Sequence, residues 1–144
     1  MRRILVFWVP VNDDIETTFE VKIIRNAATG IVKAEHWSLD GKGESPPGDR
    51  PSTTFYDDQG RPKMLIWKKN GLEHRENGPA HVVLDPVTGV HVQEHYVENG
   101  RCHRDGRLPA QIYRDATTGE VTKLRYWVDG KEKFWRKFPT TPSL

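Results

Sequence analysis

The chain has 144 residues, of which 35% are apolar and 29% charged, with a formal net charge of +2. That length suits one domain with a modest core, and interspersed charges with a small net excess argue against wholesale disorder and against the clustered basic face that announces nucleic acid. Cys102 is the only cysteine, so an internal disulfide and a Cys-x-x-Cys site are excluded, and no apolar run reaches the ~18 residues of a membrane span.

The first element runs from Met1 to Pro10. Its short apolar stretch is followed by Asn12-Asp13-Asp14 rather than by a small-residue cleavage site, so it reads as a strand and not as a signal peptide. Trp8 to Glu16 lacks a glycine turn and reads as a cap. From there the chain repeats. An aromatic residue followed by a turn pair occurs at Trp37 with Asp40-Gly41, Trp67 with Asn70-Gly71, Tyr96 with Asn99-Gly100 and Tyr126 with Asp129-Gly130, at spacings of 30, 29 and 30 residues. Stepping back another 29 residues reaches Trp8. Asn-Gly and Asp-Gly between extended runs predict two-residue hairpin turns, because both central residues of a type I′ turn need positive φ.

A second element keeps the same phase. Asn26-Ala27-Ala28-Thr29-Gly30, Asp85-Pro86-Val87-Thr88-Gly89 and Asp115-Ala116-Thr117-Thr118-Gly119 predict longer hairpin loops, each closed by glycine in the left-handed region; Asp57-Asp58-Gln59-Gly60 is one residue shorter. A third is His74-Arg75-Glu76-Asn77-Gly78-Pro79-Ala80, matched by His103-Arg104 through Pro109-Ala110. Between the turns, apolar residues alternate, as in Ala80, Val82, Leu84 and in Val90, Val92, Tyr96. Trp37, Trp67, Tyr96 and Tyr126 occupy one equivalent position and would form an aromatic ladder along the sheet. Gly41 to Pro51 predicts an irregular loop, and Lys131 to Phe138 a last strand or a short helix before the proline-rich end.

These elements predict an all-β, single-domain chain: an antiparallel meander of about ten strands from five ~30-residue hairpin units, in one twisted or curled sheet. The unit boundaries fall near 8–36, 37–66, 67–95 and 96–125, with a capping segment at 126–144. The pattern aromatic-x-x-Asn/Asp-Gly-x-x-His-Arg-x-x-Gly-Pro-Ala resembles a tandem repeat of uncharacterised bacterial, phage and large-virus proteins. It is also similar to MORN repeats, whose hairpins stack into one elongated antiparallel sheet. The resemblance implies a scaffold for protein or lipid contact and, for its variants, immunity or antitoxin proteins that neutralise a partner by binding it. MORN units are shorter and carry glycine-rich signatures that this chain lacks.

The candidate functional residues are the pairs His74-Arg75 and His103-Arg104, and the C-terminal Lys131, Lys133, Trp135, Arg136 and Lys137. Two histidines one unit apart could bind a metal or an anion, or act in acid–base chemistry. Alternatively the pairs are structural, with each arginine bonding carboxylates or turn carbonyls of the neighbouring unit and each histidine packing on the aromatic ladder. The C-terminal mixture of cations and aromatics suits nucleic acid or an acidic protein surface, or else an amphipathic closing element. His91 and His95 would share a strand face but lie too far apart for one metal site, structural zinc spacing is absent, and Cys102 and His103 would point to opposite faces. The sequence is therefore read as non-enzymatic, with no metal or cofactor, cytoplasmic, and partnered first by another protein. Nucleic acid is the second reading and a His-dependent hydrolase or nuclease the third. Exposed edge strands would also permit a dimer.

Overall fold

A computed structural model of the chain describes residues 2–7, as backbone, and residues 17–135. The expected cap around Trp8 and the tail from Arg136 onward lie outside the described residues. Among those described there is no helix, and hence none long and apolar enough to cross a membrane.

The long strands are β1 (Arg2–Phe7), β2 (Thr17–Arg25), β3 (Val32–Leu39), β5 (Thr53–Tyr56), β6 (Pro62–Ile66), β9 (His81–Leu84), β10 (His91–His95), β13 (Gln111–Arg114) and β14 (Val121–Val128). They pair antiparallel in the order β1-β2-β3-β5-β6-β9-β10-β13-β14 and end on the short β15 (Lys131–Lys133). This is an open meander, since nothing bonds β15 back to β1. With β4 (Lys42–Gly43), which pairs with β3, the sheet has 11 strands. Two further ribbons are β7 (Lys68–Lys69) with β8 (Leu72–Glu73), and β11 (Val97–Glu98) with β12 (Arg101–Cys102).

The turns follow from residue chemistry. Asn70 and Gly71 take φ of 52° and 84°, and Asn99 and Gly100 take 48° and 77°, which only glycine and residues such as Asn tolerate without strain. In the longer loops the Asp85 carboxylate accepts the N–H groups of Val87 at 3.0 Å and Thr88 at 2.7 Å, while Gly89 N–H donates to the Asp85 carbonyl. Those N–H donors hold Asp85 and Asp115 below the ordinary carboxylate range.

Each of these loops is flanked by a register shift that the sequence pattern did not predict. The shifts leave Lys33, Lys63, Val92 and Thr122 unpaired against the neighbouring strand. A bulge of this kind reverses the facing of everything beyond it. Val90 and Val92 therefore do not alternate simply toward Tyr96. His91 and His95, expected on one face, lie on opposite faces: His91 stands opposite Leu84 and reaches Glu94 at 2.8 Å, whereas His95 stands opposite His81.

A second line of backbone bonds joins successive short hairpins. Gly71 N–H donates to the Gly43 carbonyl, Gly100 N–H to Glu73 and Gly130 N–H to Cys102, at 2.8, 2.8 and 2.9 Å. Ser45, Arg75 and Arg104 N–H groups return bonds to the carbonyls of Lys68, Val97 and Trp127. The short hairpins thus form a ladder of their own beside the main meander, with its bonds recurring every 29 or 30 residues.

The core is small. Trp67, Ala80, Val82 and Val97 form one buried cluster, and Phe19, Val21 and Trp37 another. Three rings of the aromatic column each carry a guanidinium where ring-on-ring stacking was expected. Arg50 lies 5.0 Å from the Trp37 centroid, Arg75 3.8 Å from Trp67 and Arg104 3.7 Å from Tyr96. Aromatic faces attract cations, and a flat guanidinium covers a ring while keeping its in-plane donors free for other partners.

Candidate functional site

The ladder of short hairpins places His74-Arg75 and His103-Arg104 at the ends of β8 and β12, and this determines what each side chain does. Asn99 N–H donates to His74 Nδ1 at 3.2 Å, and Asp129 N–H donates to His103 Nδ1 at 3.1 Å. Glu44, one unit earlier, accepts the Asn70 N–H in the same way. An imidazole nitrogen that accepts an N–H is unprotonated, so each neutral ring carries its proton on Nε2. In His74 that edge is buried without a hydrogen-bond partner, its nearest carboxylate being Glu76 at 3.8 Å; in His103 it lies 3.3 Å from Asp105, while Nδ1 also stands 3.3 Å from the Asp129 carboxylate. The histidines therefore tie one hairpin to the next turn and do not stack on the aromatic column.

The arginines turn back toward their own unit. Arg75 Nη1 donates to the Pro79 carbonyl at 3.1 Å, and Arg104 Nη1 to the Pro109 carbonyl at 3.0 Å. Arg75 also grips Asp49 with both remaining edges, Nε to Oδ1 at 3.0 Å and Nη2 to Oδ2 at 2.8 Å. This fork holds Asp49 below the usual carboxylate range. Asp49 belongs to the loop predicted as irregular, and nothing local in the sequence marks it as the partner of a residue 26 positions away.

Two grooves open along this row. The larger, about 400 Å³, is lined among others by Arg75, Tyr96, His103 and Arg104; the smaller, about 270 Å³, by Asp49, Trp67, His74 and Arg75. They are related by one unit. Moving the lining of the smaller groove forward turns Asp49 into Asn77, Trp67 into Tyr96, Lys69 into Glu98, His74 into His103 and Arg75 into Arg104.

Of the C-terminal candidates, Lys131, Lys133 and Trp135 do not line these grooves. Lys131 and Lys133 sit in β15, opposite Val128 and Tyr126. Trp135 is 41% exposed with Arg107 5.0 Å from its ring centroid, and Phe134 is 84% exposed. Arg136 and Lys137 lie outside the described residues.

A row missed in the sequence, polar except at Ile66, crosses the main meander. Ladder pairing sets His36, Thr53, Ile66, His81, His95, Gln111 and Arg125 directly opposite one another on successive strands. Residues of the short hairpins meet this row. Glu73 lies 3.3 Å from His81, Gln111 Nε2 donates to Cys102 Sγ at 3.4 Å, and Arg125 forks onto Glu132 with two bonds of 2.7 Å. The thiol of Cys102 has its pKa pushed up by burial, which disfavours the reactive thiolate. Among the described residues no three His, Cys, Asp or Glu side chains converge as a metal-binding group.

Burial, reinforced by His81 and Arg125 and partly offset by Glu73, lowers the His95 pKa; burial with Lys22 and Lys68 does the same to His36. The His81 hydrogen bond lowers that of Glu73. The signs agree. A histidine with a depressed folded pKa stays neutral while the unfolded chain protonates, so its contribution is complete above about 6.5 and lost as pH falls through the window beneath. Glu73 contributes above its ordinary 4.5 and loses that contribution on further acidification. The urea midpoint is expected to fall on acidification below about 6.5, and His95→Gln to flatten that part of the profile. A profile flat in wild type, or unchanged in His95→Gln, contradicts this.

No protein-family model, curated protein or solved structure matches the chain.

Proposed function

We propose that the chain is a non-catalytic protein-binding module, of the kind that neutralises a partner by occupying it, as immunity, antitoxin and phage-borne inhibitor proteins do. The observation that carries this is the pair of unit-related grooves, each with an arginine laid over an aromatic ring. Tyr, Trp and Arg are the side chains that most often dominate protein interfaces. The main candidates for chemistry point the same way, because His74 and His103 use Nδ1 to hold backbone, and a catalytic site needs unlike groups converging on one reacting atom. A MORN-like stack of hairpins in the cytoplasm is the setting this reading assumes.

The test is capture by the immobilised full chain from its native host, alongside an Arg104→Glu variant. A partner protein retained by wild type and weakened at least about tenfold by the charge reversal supports the reading. Recovery of no protein under gentle washing overturns it.

The exposed Phe134 and the Arg107–Trp135 pair favour one second reading, single-stranded nucleic acid stacked on this end. It requires binding that weakens steeply with salt; a flat, weak response removes it.

A further inference from the structure

We propose that Arg104 is a preformed receptor for a single carboxylate, carried by an aspartate or glutamate side chain of a protein partner. The inference rests on the protein-binding reading and specifies what one of its grooves recognises.

The chain contains the template for this contact. Arg75 makes three kinds of interaction: it lies over the Trp67 ring, Nη1 donates to the Pro79 carbonyl, and the Nε/Nη2 edge takes both oxygens of Asp49. Arg104 repeats the first two almost to the tenth of an ångström, over Tyr96 and onto the Pro109 carbonyl. The third is missing. The position of Asp49, three residues before the buried small residue of its unit, falls on Asn77 in the next unit, three before Ala80. Asn77 lines the same groove as Arg104, but its amide brings no charge. Among the described residues the Nε and Nη2 donors of Arg104 have no acceptor, and the groove beside them is larger than the one Asp49 lines.

The chemistry selects a carboxylate. The open edge of a guanidinium matches two coplanar oxygens, and the Arg75–Asp49 fork shows that match within the same architecture. Ring and carbonyl already hold the Arg104 side chain in place, so a ligand need not meet the full cost of ordering it. Glu76, Glu98 and Asp105 line the same groove and repel a dianionic phosphate about twice as strongly as a single carboxylate. Leu108, 49% exposed beside them, offers an apolar contact for a residue flanking the acid.

The test follows the side-chain Nε–H resonances of Arg104 and Arg75 by NMR in the full chain. The probes are acetyl-Leu-Asp-Leu-amide and its Asn and phosphoserine counterparts, none of which has a free terminus. The Asp peptide is expected to shift Arg104 saturably and the Asn peptide to bind at least about tenfold more weakly. Asn77→Asp supplies the internal carboxylate and is expected to weaken the Asp peptide at least about fivefold; Asp49→Asn is expected to make Arg75 respond to it. Equal response to the Asn peptide, tighter binding of the phosphoserine peptide, or Asp-peptide binding unaffected by Asn77→Asp overturns the proposal. Such an outcome alongside successful capture of a partner removes this inference and leaves the protein-binding reading standing.

Discussion

Replacing Trp67 with alanine is expected to lower the free energy of unfolding by about 3–5 kcal/mol, the range for removing a large aromatic from a packed core. Trp67 is 6% exposed and belongs to the cluster with Ala80, Val82 and Val97. It also serves as the platform for Arg75, and its Nε1–H donates to the Asp49 carbonyl at 3.0 Å. Truncation therefore leaves a cavity, removes the ring beneath a guanidinium and frees the loop that carries Asp49. In a chain whose core is divided into small clusters, loss of one can uncouple the units on either side. Urea unfolding followed by far-UV circular dichroism should show a lower midpoint together with a shallower or biphasic transition. A change below about 1 kcal/mol would mean that the cluster around Trp67 does not organise the sheet.

Ala80→Leu is expected to cost about 1–3 kcal/mol by overpacking, although leucine is the more hydrophobic residue. Ala80 and its counterparts Ser52 and Ala110 are 0% exposed. Each sits where the chain enters a long strand. The carbonyls of Ser52, Ala80 and Ala110 accept from the N–H groups of Trp37, Trp67 and Tyr96, and their own N–H groups donate onward to Ile66, His95 and Arg125. This close backbone approach leaves room for a methyl or hydroxymethyl group and little more. Ala80→Ser introduces the side chain that Ser52 already carries at the equivalent position, and it is expected to be tolerated within about 1 kcal/mol. Equal stability of the Leu variant and wild type, in thermal and urea unfolding, would show that the position is not under this constraint.

Turn chemistry made much of the fold legible. Asn-Gly and Asp-Gly pairs need positive φ and were found there, and the Asp-x-x-Thr-Gly loops closed as their side chains require. Period-two alternation placed the long strands. It could not place the bulges at Lys33, Lys63, Val92 and Thr122, because an unpaired residue leaves no mark in composition, and so the facing of His91 was misread. The site was legible only in outline. The motif identified Arg75 and Arg104, but their stacking on the aromatic column required knowing that the chain turns back between Trp67 and Arg75. Asp49 was hidden because its partner lies in the next unit. The row from His36 to Arg125 was hidden because cross-strand neighbours are set by register and not by sequence distance.

Successive hairpins are joined by a second ladder of hydrogen bonds running through their turns. Amide hydrogen exchange at Gly71, Gly100 and Gly130, and at Asn99 and Asp129, is the sharpest probe of that ladder. All five residues lie in exposed turns, where an amide without a partner exchanges fast. Here each is bonded to the preceding hairpin, the glycines to backbone carbonyls and the other two to histidine Nδ1. These amides are expected to be protected to a degree approaching that of the β9 and β10 strand amides. Exchange at the rate of an open turn, with those strands still protected, would contradict the account.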